Sequence, residues 1–227
     1  MAIVEVRGLT REYQQGTITV KALQGVDLDI EPGEFTALMG PSGSGKTTLL
    51  NQIGALDEPT GGTVTVDGSR LNSLTRGQLS DLRLHRLGFI FQSYNLIPVL
   101  SAYENAEFVL SLRGMDAAER KRTVMDTLAS VGLSGMENRR PNELSGGQQQ
   151  RVAVARAIAG KPALVLADEP TANLDSKTGA ELIELMSRLN ADNGVTFVFA
   201  THDPKVMDAA RRVVWLEDGV VVRDERK

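Results

Sequence analysis

The chain contains no cysteine, which excludes disulfides and thiolate metal sites. It has no run of about 18 apolar residues, the least that a membrane-spanning helix needs. The opening Met1-Ala2-Ile3-Val4-Glu5-Val6-Arg7 carries charge where a signal peptide needs an apolar stretch. A soluble, cytoplasmic chain is expected, and any pore it serves would lie on another polypeptide. No dominant basic stripe accompanies the net charge of −4, so nucleic acid is not an expected partner. No repeat, linker or low-complexity stretch divides the 227 residues, of which 41% are apolar. That is enough for a sizeable core and suits one large α/β domain.

Strand patterns fill most of the first 70 residues. Val26-Asp27-Leu28-Asp29-Ile30 alternates apolar and acidic side chains, the period of a half-buried strand. Glu31-Pro32-Gly33 turns the chain into the apolar Phe35-Thr36-Ala37-Leu38-Met39, and Thr63-Val64-Thr65-Val66 ends at the Asp67-Gly68 turn. From about 72 to 160 the pattern predicts helices, over 76–87, 101–113, 116–131 and 146–159. Two short apolar runs follow, Leu164-Val165-Leu166-Ala167 and Val195-Thr196-Phe197-Val198-Phe199-Ala200, as parallel strands covered on both faces require. The helical pattern over 176–191 supplies the crossover between them. The segment 213–222 reads as a hairpin on Asp218-Gly219.

Gly40-Pro41-Ser42-Gly43-Ser44-Gly45-Lys46-Thr47 matches the phosphate-binding loop G-x-x-x-x-G-K-[ST] and sits between an apolar strand and a helical pattern. Glycines let successive amides curl around phosphate oxygens, and the helix N-terminus adds its positive end. Lys46 is expected to reach the β- and γ-phosphates of a nucleoside triphosphate, and Thr47 to ligate Mg²⁺. Ala163 to Ala167 leads into Asp168 and Glu169, two carboxylates at the carboxyl end of a buried strand, where open α/β sheets bind ligands. Asp168 suits a Mg²⁺ role, and Glu169 suits the general base for an attacking water. Leu144-Ser145-Gly146-Gly147-Gln148 opens a long helix, with Ser145 as N-cap and two glycines leaving the helix end open to an anion.

With these motifs in this order, the chain resembles the ABC ATPase family, whose signature is LSGGQ. The likeness extends over essentially the whole length. It implies a RecA-like P-loop NTPase core with an N-terminal antiparallel β subdomain (about 1–92 and 161–227) and an inserted helical subdomain (about 93–160). It implies that Tyr13 stacks on adenine, that Gln92 contacts Mg²⁺ and the attacking water, and that His202 contacts the γ-phosphate. Ala172-Asn173-Leu174-Asp175 matches the loop after the acid pair. The nucleotide-binding set so implied is Tyr13, Gly40, Pro41, Ser42, Gly43, Ser44, Gly45, Lys46, Thr47, Thr48, Ser145, Gly146, Gly147, Gln148 and Asp175. Glu169, His202 and Gln92 are the catalytic set, and Thr47, Gln92 and Asp168 the metal set. His85 has no motif around it and reads as structural.

The implied function is ATP hydrolysis with Mg²⁺ in a head-to-tail homodimer of two shared sites, driving a separate transmembrane permease from the cytoplasmic face of the membrane. The lipoprotein-release and macrolide-export branch is the nearest likeness, through Met39–Leu50, Leu87–Gln92 and Leu166–Thr171. Ala172 departs from that branch's usual Gly. Export or extraction from the membrane is therefore expected, with regulation of a membrane partner as the alternative. Chromosome-maintenance relatives are disfavoured because only about a hundred residues separate Lys46 from Ser145, without heptads or cysteines. Translation-factor relatives carry two such domains. Tyr94-Asn95-Leu96-Ile97-Pro98-Val99-Leu100 is apolar for a connection, and is either a docking surface or packing for the inserted helices.

Overall fold

The computed structural model describes residues 1–227, with Gln15 described by its backbone alone. The chain opens with β1 (Val4–Gln15), β2 (Ile18–Ile30) and β3 (Phe35–Met39), followed by α1 (Lys46–Ile53), β4 (Gly61–Val66) and β5 (Ser69–Arg70). Next come α2 (Arg76–Arg86), β6 (Leu87–Ile90), α3 (Ala102–Leu112), α4 (Ala117–Ser130) and α5 (Gly146–Ile158). The last third holds β7 (Leu164–Asp168), α6 (Ser176–Asn193), β8 (Thr196–Ala200), α7 (Pro204–Ala209), β9 (Arg212–Glu217) and β10 (Val220–Arg226).

Two sheets form, as the expected α/β class requires. An antiparallel one runs β2-β1-β4-β5, and a second runs β10-β9-β3-β8-β7-β6. Within the second sheet β9, β3, β8, β7 and β6 are parallel, and β10 closes its edge as the antiparallel arm of the Asp218-Gly219 hairpin. Its central strands are buried along both faces, and side chains divide by the two-residue period. Phe35, Ala37, Phe197, Phe199, Val165 and Ala167 enter one core with α3, α5 and α6. Leu38, Val198, Leu164 and Leu166 enter the other, which α1 and the antiparallel sheet complete. That double burial is why these strands read as unbroken apolar runs.

One expectation needs correction, and one with two open readings divides. The stretch from 72 to 160 is not uniformly helical, because Leu87–Ile90 forms β6, paired in parallel with β7. Four apolar residues directly after α2 carry no period of their own to separate them from it. The connection over 94–100 divides. Leu96 packs against the core beneath the inserted helices, whereas Val99 is 71% exposed.

Helix ends follow their capping residues. Thr75, Ser101 and Ser145 form capping boxes on α2, α3 and α5, and Asp116, Asp175 and Asp203 cap α4, α6 and α7. Helix α1 is different. Its N-cap is Gly45, with φ of 100° and no side chain to offer. A Cβ there would stand 2.6 Å from the Ala22 carbonyl oxygen, so both the left-handed backbone and the close approach require glycine.

Candidate active site

The strand order explains how residues scattered over 160 positions meet. Parallel β3, β8, β7 and β6 lie side by side, so their carboxyl ends form one edge. From that edge emerge the glycine-rich loop after β3, Thr201 and His202 after β8, Glu169 after β7, and Gln92 just past β6. Ligands of open α/β sheets bind outside such an edge. A cleft of about 660 Å³ opens there, lined by Pro41 through Thr48, Gln92, Glu169, Ala172 and His202, with Val20, Lys21 and Ala22 of β2 as its other wall.

The uncapped start of α1 faces this cleft, and its first amides have no side-chain acceptor. A bound anion would take those hydrogen bonds and meet the positive end of the helix. Lys46 is buried and donates to the carbonyls of Gly40 and Pro41, each at 2.8 Å. Burial lowers the pKa of its ammonium, while the carboxylates of Glu169 and Asp168 oppose the shift.

Asp168 accepts a 2.9 Å hydrogen bond from the Thr47 hydroxyl. Burial raises its carboxyl above the ordinary value, against the lowering effect of that hydroxyl. Thr47 and Asp168 thus present hard oxygen donors side by side, the chemistry Mg²⁺ takes. Among the described residues no group of three or more His, Cys, Asp or Glu side chains could hold a metal, so a cation here needs phosphate oxygens or water to complete its shell.

Glu169 sits on a strained backbone, with φ of 45°, and its amide donates to Ala200 O at 2.8 Å. Its Oε2 accepts from the buried Thr201 hydroxyl at 3.0 Å, and its Oε1 lies 2.6 Å from His202 Nδ1. The carboxylate side chain is 19% exposed and the imidazole 73%. A carboxylate held on both oxygens at the mouth of an anion-binding cleft can orient a water and accept its proton. Thr201 was legible only as a neighbour of His202. Its share in holding Glu169 has no spacing signature.

Other expected residues lie outside the cleft. Tyr13 does not line it. Its hydroxyl bonds Asp57 Oδ2 at 2.8 Å, and the Arg11 guanidinium lies 4.4 Å from its ring centroid. Tyr13 does pair across the β1–β2 ladder with Val20, a wall residue. The Ser145-Gly146-Gly147-Gln148 end of α5 is also not among the residues that line the cleft. Ser145 and Gln148 cap each other there, and Gly147 packs so closely on α6 that a Cβ would meet Thr178 Cγ2 at 2.3 Å. Asp175 accepts from the Thr178 hydroxyl and caps α6 through the amides of Thr178 and Lys177, bonds that hold its carboxyl below its ordinary pKa.

Comparison with known proteins agrees with this geometry. Residues 23–172 match the family model described as ABC transporter. The ABC transporter ATP-binding protein MJ0796 of Methanocaldococcus jannaschii is 45% identical over 228 residues, covering 99% of this chain and 97% of that one. The macrolide export ATP-binding/permease protein MacB of Rhodopseudomonas palustris is 48% identical over 221 residues. The chain spans about a third of that protein's length, the alignment covering 97% of this chain and 34% of MacB. A dimeric structure of MJ0796 in a post-hydrolysis state, bound to ADP and Pi, superposes with a TM-score of 0.91 at 44% identity, covering 98% of each chain. The chain belongs to the ABC transporter family and is one of its ATP-binding cassette ATPases.

Proposed function

We propose that two copies of this chain close head to tail around two ATP molecules with Mg²⁺, each copy's Ser145-Gly146-Gly147 end completing the site held by the other's Lys46. The observation that carries this reading is the separation within one chain. The phosphate loop, Glu169 and His202 share one cleft, while the Ser145-capped start of α5 is not among the residues that line it. The dimeric state recorded for MJ0796 supports it. Such a dimer is isologous, with two equivalent sites about one two-fold axis.

In each site the loop amides and Lys46 hold the phosphates, and Tyr13 stacks on the adenine. Gln92 and Glu169 orient the attacking water, Glu169 accepts its proton, and His202 contacts the γ-phosphate. Thr47, Asp168 and Gln92 would hold Mg²⁺, which would supply positive charge to neutralise the phosphates. The motor drives a membrane permease subunit from the cytoplasmic face, for export or extraction of a membrane-borne cargo. The macrolide export name carried by MacB relatives, in which permease and ATPase share one chain, supports that direction. Among the described residues no helix is long and apolar enough to cross a membrane; in this reading the permease is a separate polypeptide. Its docking site is the apolar groove of about 350 Å³ between Leu56, Leu84, Phe89, Phe91 and Val109.

Mixing two inactive variants tests the shared site. In a dimer of Lys46→Ala with Gly147→Asp, one site carries both lesions and the other carries none. ATP occlusion is expected to return in the mixture, with each variant alone inactive but folded by circular dichroism. If each chain completes its own site, every site in the mixture stays damaged and no occlusion returns.

A further inference from the structure

We propose that Asp57 is a positioning residue for the nucleotide base, fixing Tyr13 as a rigid stacking platform without itself touching the nucleotide. The proposal rests on the reading above that Tyr13 stacks on adenine. Asp57 stands in the loop after α1, on no sequence motif, yet its carboxylate accepts four hydrogen bonds. Oδ2 takes the Tyr13 hydroxyl at 2.8 Å and the Gln52 amide at 3.1 Å. Oδ1 takes the Arg11 guanidinium at 2.7 Å and the Glu58 backbone amide at 2.9 Å.

Three of these bonds constrain the tyrosine in different ways. The first pins the far end of the side chain, which removes the rotation that an unanchored tyrosine near a hairpin tip would keep. The Arg11 bond holds the guanidinium 4.4 Å from the ring centroid, so a cation covers one face of the ring and a base would have to take the other. Gln52 is 1% exposed and belongs to α1, the helix that begins at Lys46. Asp57 therefore fixes the ring relative to the helix that carries the phosphate loop. Tyr13 is placed to serve the cleft from this position, because its ladder partner Val20 is part of the cleft wall.

Ordering a side chain at the moment of binding costs about 0.5–1.5 kcal/mol, and a pinned tyrosine has already been ordered. Releasing it should weaken binding of the base by about three- to tenfold. Binding of phosphates alone should not change.

The experiment measures dissociation constants for ATP and for inorganic tripolyphosphate, under identical Mg²⁺, on the full chain. Asp57→Asn and Tyr13→Phe are each expected to weaken ATP by about three- to tenfold and to leave tripolyphosphate unchanged. Tyr13→Phe keeps the ring and the other three bonds of Asp57, so it isolates the pin should the asparagine variant fold poorly. Tyr13→Leu is expected to weaken ATP at least as much, and adding Asp57→Asn to it should have no further effect. Equal weakening of ATP and tripolyphosphate by Asp57→Asn would overturn the proposal, since the residue would then act through Gln52 on the phosphate loop. A loss in Tyr13→Leu with none in Asp57→Asn or Tyr13→Phe would overturn it while leaving the stacking reading intact. No loss in Tyr13→Leu would overturn both.

Discussion

Glu169→Gln changes the proton chemistry of the site while keeping its shape. The carboxylate is held by Thr201 Oγ1 at 3.0 Å and by His202 Nδ1 at 2.6 Å. Glutamine has the same heavy-atom skeleton. Its amide oxygen can still accept from Thr201, and its amide nitrogen can donate to His202 Nδ1 when the imidazole proton sits on Nε2. The backbone demand at φ 45° is the same for either residue. What disappears is the group able to take a proton from water. A positioned general base contributes about 10²–10⁴ in rate, or roughly 3–5 kcal/mol of barrier. Hydrolysis should therefore fall at least about a hundredfold, with ATP affinity changed by no more than about twofold. Affinity is spared because Lys46 and the open end of α1 are untouched, and the lost negative charge near Lys46 does not oppose a phosphate. Single-turnover release of inorganic phosphate measures the first quantity, and equilibrium competition against a fluorescent nucleotide measures the second. Hydrolysis within about threefold of wild type would remove Glu169 from the role and leave His202 as the group to examine.

Two further predictions concern packing and partner. Gly88→Ala would place a Cβ 2.5 Å from the Ala157 carbonyl oxygen and 3.2 Å from Val165 Cγ2, overpacking worth about 1–3 kcal/mol. The thermal midpoint should then drop by about 3–10 °C, and an unchanged midpoint would mean that α5 yields without strain. Leu56→Glu puts a charge in the proposed docking groove at a position 46% exposed, so the fold should keep its midpoint. The share of the chain recovered with membranes should fall, and undiminished recovery would place the permease elsewhere.

The parts of the site legible in the sequence are those whose chemistry is local. The phosphate loop and the Asp168-Glu169 pair are contiguous segments next to apolar strands, and their spacing encodes their shape. Strands β3, β7 and β8 of the parallel sheet were visible because burial on both faces makes them unbroken apolar runs. Strand β6 was hidden because it follows α2 with no turn residue between them, and its neighbour along the sheet is 77 residues away at Leu164. Strand β1 was only partly visible. Register shifts after Val6, Leu9 and Arg11 break its alternation, so no two-residue period survives over its length. The short α7 left one trace, Asp203 followed by Pro204, which are its N-cap and first residue. The Asp57 cluster left none, since its partners Arg11 and Tyr13 lie 46 and 44 residues earlier. Hydrogen bonds at such separations follow from the fold, not from a local pattern.

The signature helix is not an independent element of this chain, and that bears on how two sites in the proposed dimer would communicate. Gln150, fully buried on α5, donates to the Pro170 carbonyl at 2.8 Å, one residue past Glu169. One turn earlier Gly147 packs without clearance on Thr178, itself bonded to the Asp175 cap of α6. On the far side of the same loop, Thr171 Oγ1 donates to Asp203 at 2.7 Å, and the Asp203 amide donates to Thr201 Oγ1, the hydroxyl that holds Glu169. A displacement of the Ser145 end of α5 would thus be carried by direct contacts to the loop that aims Glu169, the proposed general base of the same chain. In a head-to-tail dimer that helix end would rest on the nucleotide held by the other chain. Closure over one nucleotide would then act on the carboxylate facing the other, and neither site could be assembled without affecting its twin. Close packing is what makes this transmission possible, because interiors without clearance pass on small shifts instead of absorbing them.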